Sequence, residues 1–152
     1  MSDTEQGVEE NLATIIESGS ANTRAFKVVI HKDGSATAEI GGYGAMSDFR
    51  IERSQDFPPG TIDTKALLSL LTEIGDVSRI PTGPCPKSIS LGTTTKISYA
   101  GRTSGDLQSI PQYTSGGDPA LLQAGENLWK FVQKTESQLP IRAMRASSNQ
   151  FG

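Results

Sequence analysis

The sequence predicts an α+β domain: an antiparallel sheet of four to five strands with helices packed on one face. Three observations carry that expectation. Residues 26–40 hold two runs that alternate apolar and polar around an Asp-Gly pair, the pattern of a half-buried hairpin. Two later segments repeat apolar residues at helical spacing behind an aspartate cap. The strand-like stretches come in blocks between the helical ones, an order that favours antiparallel pairing.

Residues 1–7 are polar and read as a disordered N-terminus. Val8, Leu12, Ile15 and Ile16 follow helical spacing, so residues 8–18 read as a short acidic helix that Gly19 can end. The hairpin comes next, and its register follows from its faces. A two-residue turn at Asp33-Gly34 sets Ile30 against Thr37 and Val28 against Glu39, which mixes apolar and polar rows. A three-residue loop, Lys32-Asp33-Gly34, instead pairs Ile30 with Ala36, Val28 with Ala38 and Phe26 with Ile40. It also places Lys27 opposite Glu39, and Gly34 supplies the left-handed residue such a loop needs.

Gly41-Gly42-Tyr43-Gly44 reads as a break. A third strand follows, with Phe49 and Ile51 on one side and Asp48, Arg50 and Glu52 on the other. Phe57-Pro58-Pro59-Gly60 ends it, because proline cannot donate to a ladder. Residues 64–74 form a helix between Asp63 and Gly75, with Leu67, Leu68, Leu71 and Ile74 as its apolar stripe and Leu70 widening it. Residues 80–86 make a stiff loop with three prolines. Residues 87–100 read as one long strand, because a turn at Gly92-Thr93 scatters Ile89 and Ile97 onto opposite faces. A short strand over residues 106–110 follows a turn at residues 101–105. The last helix starts at Asp118-Pro119 and stops at Pro140, with Leu121, Gly125, Leu128 and Val132 aligned and Leu122 and Trp129 beside them. The single domain thus spans residues 8–140, and residues 141–152 form a flexible basic tail.

Composition narrows the function. Leu, Ile, Val and Phe are 33 of 152 residues, just above the level of roughly 20% where chains fail to build a core. A net charge of -3 argues against a nucleic-acid surface. No apolar run reaches the roughly 18 residues of a membrane span, and the first eighteen residues hold five acids and no base, unlike a secretory leader. One cysteine and one histidine exclude an internal disulfide and Cys-rich or paired-histidine metal sites; no metal or cofactor is expected and the setting reads as cytoplasmic.

Catalytic patterns are incomplete. His31 is the sole imidazole base, it falls on the polar face of its strand, and Ser35 is a turn residue. No GxSxG elbow, GxxxxGK[ST] loop or GxGxxG loop occurs. Asp48 and Glu52 stand about 13 Å apart by strand rise, too far for a glycosidase pair, and Arg50 lies between them. Cys85 is the most singular residue, set between Pro84 and Pro86 with Lys87 two positions on; Lys87 can lower the thiol pKa. The Cys85-Pro86 pair also resembles the short haem-regulatory motif, in which the thiolate is an axial ligand. The reading favoured is a non-catalytic binding or protein-interaction domain, with a protein partner or a second copy as its counterpart. Tyr43, Cys85 and Lys87 are the candidate contact residues. The alternative is an enzyme or a redox or haem sensor centred on Cys85.

Overall fold

The computed structural model describes residues 11–19, 24–43, 51–82, 94–111 and 118–141. Six strands form one antiparallel sheet: β1 (Asn11–Glu17), β2 (Arg24–His31), β3 (Ala36–Tyr43), β4 (Arg53–Phe57), β5 (Thr95–Tyr99) and β6 (Arg102–Thr103). Their spatial order is β4-β3-β2-β1-β5-β6. Helix α1 (Thr64–Ile74) follows β4, and helix α2 (Pro119–Gln138) follows β6. The α+β class is as the sequence predicts, with six strands in place of four to five.

Two of the six strands depart from the expectation: β6, inside a segment that reads as a turn, and β1, where a helix is expected. Ala13, Ile15 and Glu17 are buried, while Leu12, Thr14 and Ile16 are half-buried. Apolar residues on both rows of a strand imitate helical spacing, and this misleads a periodicity argument. Three consecutive β-branched residues, Thr14, Ile15 and Ile16, favour the extended form. Position decides the rest: β1 lies between β2 and β5 and pairs with both.

The β2–β3 hairpin has the register derived from its faces. Ile30 pairs with Ala36, Val28 with Ala38, Phe26 with Ile40 and Lys27 with Glu39. The loop is Lys32-Asp33-Gly34, closed by His31 N donating to Ser35 O at 2.9 Å and Gly34 N donating to His31 O at 3.0 Å. Gly34 has φ +88°.

Downstream of Ile40 the strand does not break. β3 continues through Gly41 and Gly42 to Tyr43, and the register slips by one residue between the pairs Phe26–Ile40 and Arg24–Tyr43. The glycines accommodate a bulge, which is the other reason glycine occurs inside strands. The third hairpin strand is displaced as well. β4 spans Arg53–Phe57 and pairs Arg53 with Ile40 and Phe57 with Ala36. Ile51 stays half exposed before it, and residues 48–50 lie outside the described residues. β4 is an edge strand, and its polar sequence suits an edge.

Helix α1 keeps its predicted bounds. Asp63 accepts from Ala66 N at 3.1 Å, and Gly75, at φ +78°, donates its N–H to Leu71 O at 2.8 Å. Leu67, Leu71 and Ile74 are buried, but Leu68 is 44% exposed. α2 is capped by Asp118, which accepts from Ala120 N at 2.9 Å, and it ends where Leu139 precedes Pro140. It buries Leu122, Ala124, Gly125, Leu128, Val132 and Thr135, while Trp129 and Leu121 pack half-buried against the core.

The long strand expected over residues 87–100 is described only as β5; residues 83–93 lie outside the described residues. Within β5, Thr95 and Ile97 share the buried face and Lys96 the exposed one, as predicted. The strand expected over residues 106–110 is instead a 3-10 turn, Leu107–Ser109. Asp106 causes this: its carboxylate accepts from Gln108 N at 3.0 Å, Thr95 N at 2.9 Å and Ser109 Oγ at 3.1 Å, which curls the backbone away from a ladder.

One hydrophobic core joins the inner rows of β1, β2, β3 and β5 to Leu67, Leu71, Leu128, Val132 and Leu139. Both helices therefore cover the same face. The opposite face carries half-buried Lys27, Val29, Glu39 and Thr94 and exposed Lys96.

Candidate functional site

Of the three sequence-derived candidates, only Tyr43 lies among the described residues. Tyr43 ends β3 opposite Arg24, seven residues beyond Ala36 and so about 23 Å from the hairpin tip by strand rise. Cys85 and Lys87 lie outside the described residues.

The structure gathers other residues at the hairpin-tip end of the sheet. A groove of about 530 Å³ is lined there by Asn11, Leu12, Lys32, Thr64, Lys65, Leu68, Tyr99 and Ala100. A smaller hollow of about 400 Å³, lined by His31, Lys32, Asp33 and Ser35, shares Lys32 with it. The first volume falls in the range of roughly 300–1,000 Å³ where proteins bind ligands.

Each wall has a local cause. A bulge sets Asn11 against His31 and Ala13 against Ile30, leaving Leu12 as the unpaired extra residue. Leu12 packs against the edge of the core. Asn11 Oδ1 lies 2.8 Å from His31 Nδ1; an amide oxygen only accepts, so Nδ1 carries the hydrogen of this pair. Lys32 is carried on the tip. The segment leading into α1 is tied to that tip by Gly60 N donating to Asp33 O at 3.1 Å and Ile62 N donating to Gly34 O at 2.9 Å. Those two bonds bring Thr64, Lys65 and Leu68 beside the sheet end. Tyr99 closes β5, and Ala100 with Gly101 makes the two-residue turn into β6, at φ +53° and +79°. Two positive φ values are the signature of a type I′ turn, which normally carries Asn-Gly or Gly-Gly. Here an alanine occupies the first place, and it lines the groove.

Electrostatics divide the tip into two parts. Asp33 accepts from Ser35 Oγ at 2.6 Å and Ser35 N at 2.9 Å. These bonds, and more weakly the charge of His31, hold its carboxyl below the ordinary aspartate value. The Ser35 hydroxyl is thus spent on the turn, and His31 Nδ1 faces Asn11, so their hydrogen bonds do not link a Ser–His–Asp relay. Lys32 and Lys65 are exposed at the groove, and among the described residues its lining includes no carboxylate.

Sequence reasoning missed this site because its residues come from four separated segments. Two signals were present. Leu68 lies at the edge of an otherwise buried stripe, and Ala100-Gly101 is a turn with an unusual first residue. Among the described residues no group of three His, Cys, Asp or Glu side chains is placed to hold a metal, and no helix is long and apolar enough to cross a membrane. The chain matches no protein-family profile, no curated protein and no solved structure.

Proposed function

We propose that this protein is a non-catalytic interaction domain, acting in the cytoplasm, that contacts a segment of a partner protein through the groove at the hairpin-tip end of its sheet. The supporting observation is the joint placement of Leu12, Leu68 and Tyr99 along one concave surface built on a strand bulge, a helix and a strand end. Isolated exposed apolar residues need no explanation, but three in one groove offer an anchor site. Five of the eight lining residues (Asn11, Lys32, Lys65, Leu68 and Ala100) are exposed. An open trough of that kind suits side chains of an extended segment, whereas small-molecule sites bury most of their ligand.

The test uses the apolar dye 8-anilinonaphthalene-1-sulfonate with the full chain. Its fluorescence enhancement is expected to fall at least fivefold in Leu68→Asp, which removes the anchor and adds an exposed charge. Ile51→Asp, the other large exposed apolar position among the described residues, is expected to leave it unchanged. Equal enhancement in Leu68→Asp and the parent chain overturns the reading.

A further inference from the structure

We infer that the partner segment this groove receives is acidic, with an apolar anchor flanked by carboxylates. The inference rests on the groove being the contact site. Among the described residues its lining holds two cations, Lys32 and Lys65, and no carboxylate. Among the described residues neither ammonium has a carboxylate within ion-pair distance, whereas Lys27 faces Glu39 at 4.0 Å and Arg102 meets Asp76 at 3.1 Å. The acids next to them in the chain are turned elsewhere. Asp33 is bonded to Ser35, and Asp63 is spent on capping α1 through Ala66 N.

The setting sharpens this selection. The chain as a whole carries a net charge of -3, so the two lysines of this mouth stand against the sign of the overall charge and favour an acidic segment locally. A basic segment meets repulsion from the same two lysines. Leu68 and Lys65 stand three residues apart on α1, on neighbouring turns of one helix face. An anchor seated on Leu68 therefore puts its flanking side chain within reach of the Lys65 ammonium.

The experiment titrates the full chain with two synthetic ten-residue peptides that share a central Leu-Leu-Phe anchor. One is flanked by glutamates and the other by lysines. Binding is read from fluorescence anisotropy and from backbone amide shifts, at low and at physiological salt. The Glu-flanked peptide is expected to bind about tenfold more tightly, with each of Lys32→Gln and Lys65→Gln weakening it about threefold. The advantage is expected to shrink as salt rises. Equal affinity of the two peptides, or no change in either lysine variant, overturns the inference. If both bind equally and Leu68→Asp abolishes both, the groove stands and its acid preference fails. If neither peptide moves the amides of Leu68 and Tyr99, the groove itself fails as the contact site. A second copy as occupant shows as concentration-dependent dimerisation that Leu68→Asp disrupts, and that result also counts against an acidic partner.

Discussion

Gly34 and Ile62 are locked together twice over. Ile62 N donates to Gly34 O at 2.9 Å, and a Cβ built on Gly34 falls 2.9 Å from Ile62 O and 2.8 Å from Gly60 N. The first contact fastens the segment before α1 to the hairpin tip; the second leaves no room for a side chain there. A left-handed alanine costs about 1–2 kcal/mol, and the obstructing atoms are backbone, so they can move only by separating the two segments. Gly34→Ala is therefore expected to destabilise the fold by about 3 kcal/mol or more. Gly60, at φ +86°, has nothing within 4 Å of its virtual Cβ. Gly60→Ala is expected to cost only about 1 kcal/mol, the conformational part. Urea unfolding of both variants checks the ranking, and equal losses refute it.

Thr95 ties the β1–β5 pair to the 3-10 turn after β6. It is fully buried, donates to Glu17 Oε1 at 3.2 Å and accepts from Gln108 Nε2 at 2.9 Å. Thr95→Val keeps the shape and deletes both bonds, so buried Glu17 and half-buried Gln108 each lose one partner. The expected cost is about 2 kcal/mol. Thr95→Ser keeps the hydroxyl and loses one methyl, for about 1 kcal/mol. If valine proves the milder substitution, packing rather than hydrogen bonding governs this position.

The parts of the fold that were legible are those fixed by local chemistry. Gly34 and two alternating rows were enough to set the hairpin register, because any other loop length mixes buried and exposed faces. Asp63, Gly75, Asp118 and Pro140 bound their helices through caps that are written in single residues. β1 was illegible because its strand identity comes from neighbours on both sides. Ile15 sits between Val28 and Ile97, and that sandwich is invisible in the seven residues themselves. Gly41 and Gly42 misled in the same way: a bulge and a break use the same residue, and only pairing with Arg24 distinguishes them. The groove was the least legible part. Leu12, Lys32, Leu68 and Tyr99 lie far apart in sequence, and the bonds from Gly60 and Ile62 that bring α1 to the tip have no sequence motif.

Asp76 offers a test of electrostatics away from the groove. It accepts from Ser78 Oγ at 2.6 Å and Ser78 N at 2.9 Å, and Arg102 lies 3.1 Å away. The Ser78 hydroxyl bond is the chief reason its carboxyl titrates below the ordinary 3.8, followed by the Ser78 amide, with the Arg102 charge contributing less. A carboxylate whose pKa is lower folded than unfolded stabilises the fold above the unfolded value, and that contribution is lost as pH falls through the folded one. The window thus lies below about pH 4. Ser78→Ala is expected to raise the Asp76 pKa more than Arg102→Gln does, read by carboxyl carbon NMR titration. A larger rise in Arg102→Gln would make the ion pair, not the hydroxyl, the main cause.

Ala100 separates stability from binding. Its φ of +53° is a left-handed conformation held by a residue with a Cβ, in the turn that joins β5 to β6. Relief of that strain is worth about 1–2 kcal/mol. Glycine returns part of the gain, because it loses more chain entropy on folding, by about 0.5–1 kcal/mol. Asparagine tolerates the conformation and makes the favoured Asn-Gly pair with Gly101. Ala100→Asn is therefore expected to stabilise the protein by about 1 kcal/mol, and Ala100→Gly by less. Glycine deletes the side chain that lines the groove with Tyr99, and asparagine replaces its methyl with a polar amide. Binding of the Glu-flanked peptide is expected to weaken severalfold while the thermal midpoint rises. Tighter binding together with higher stability would show that the alanine serves neither the groove nor the fold.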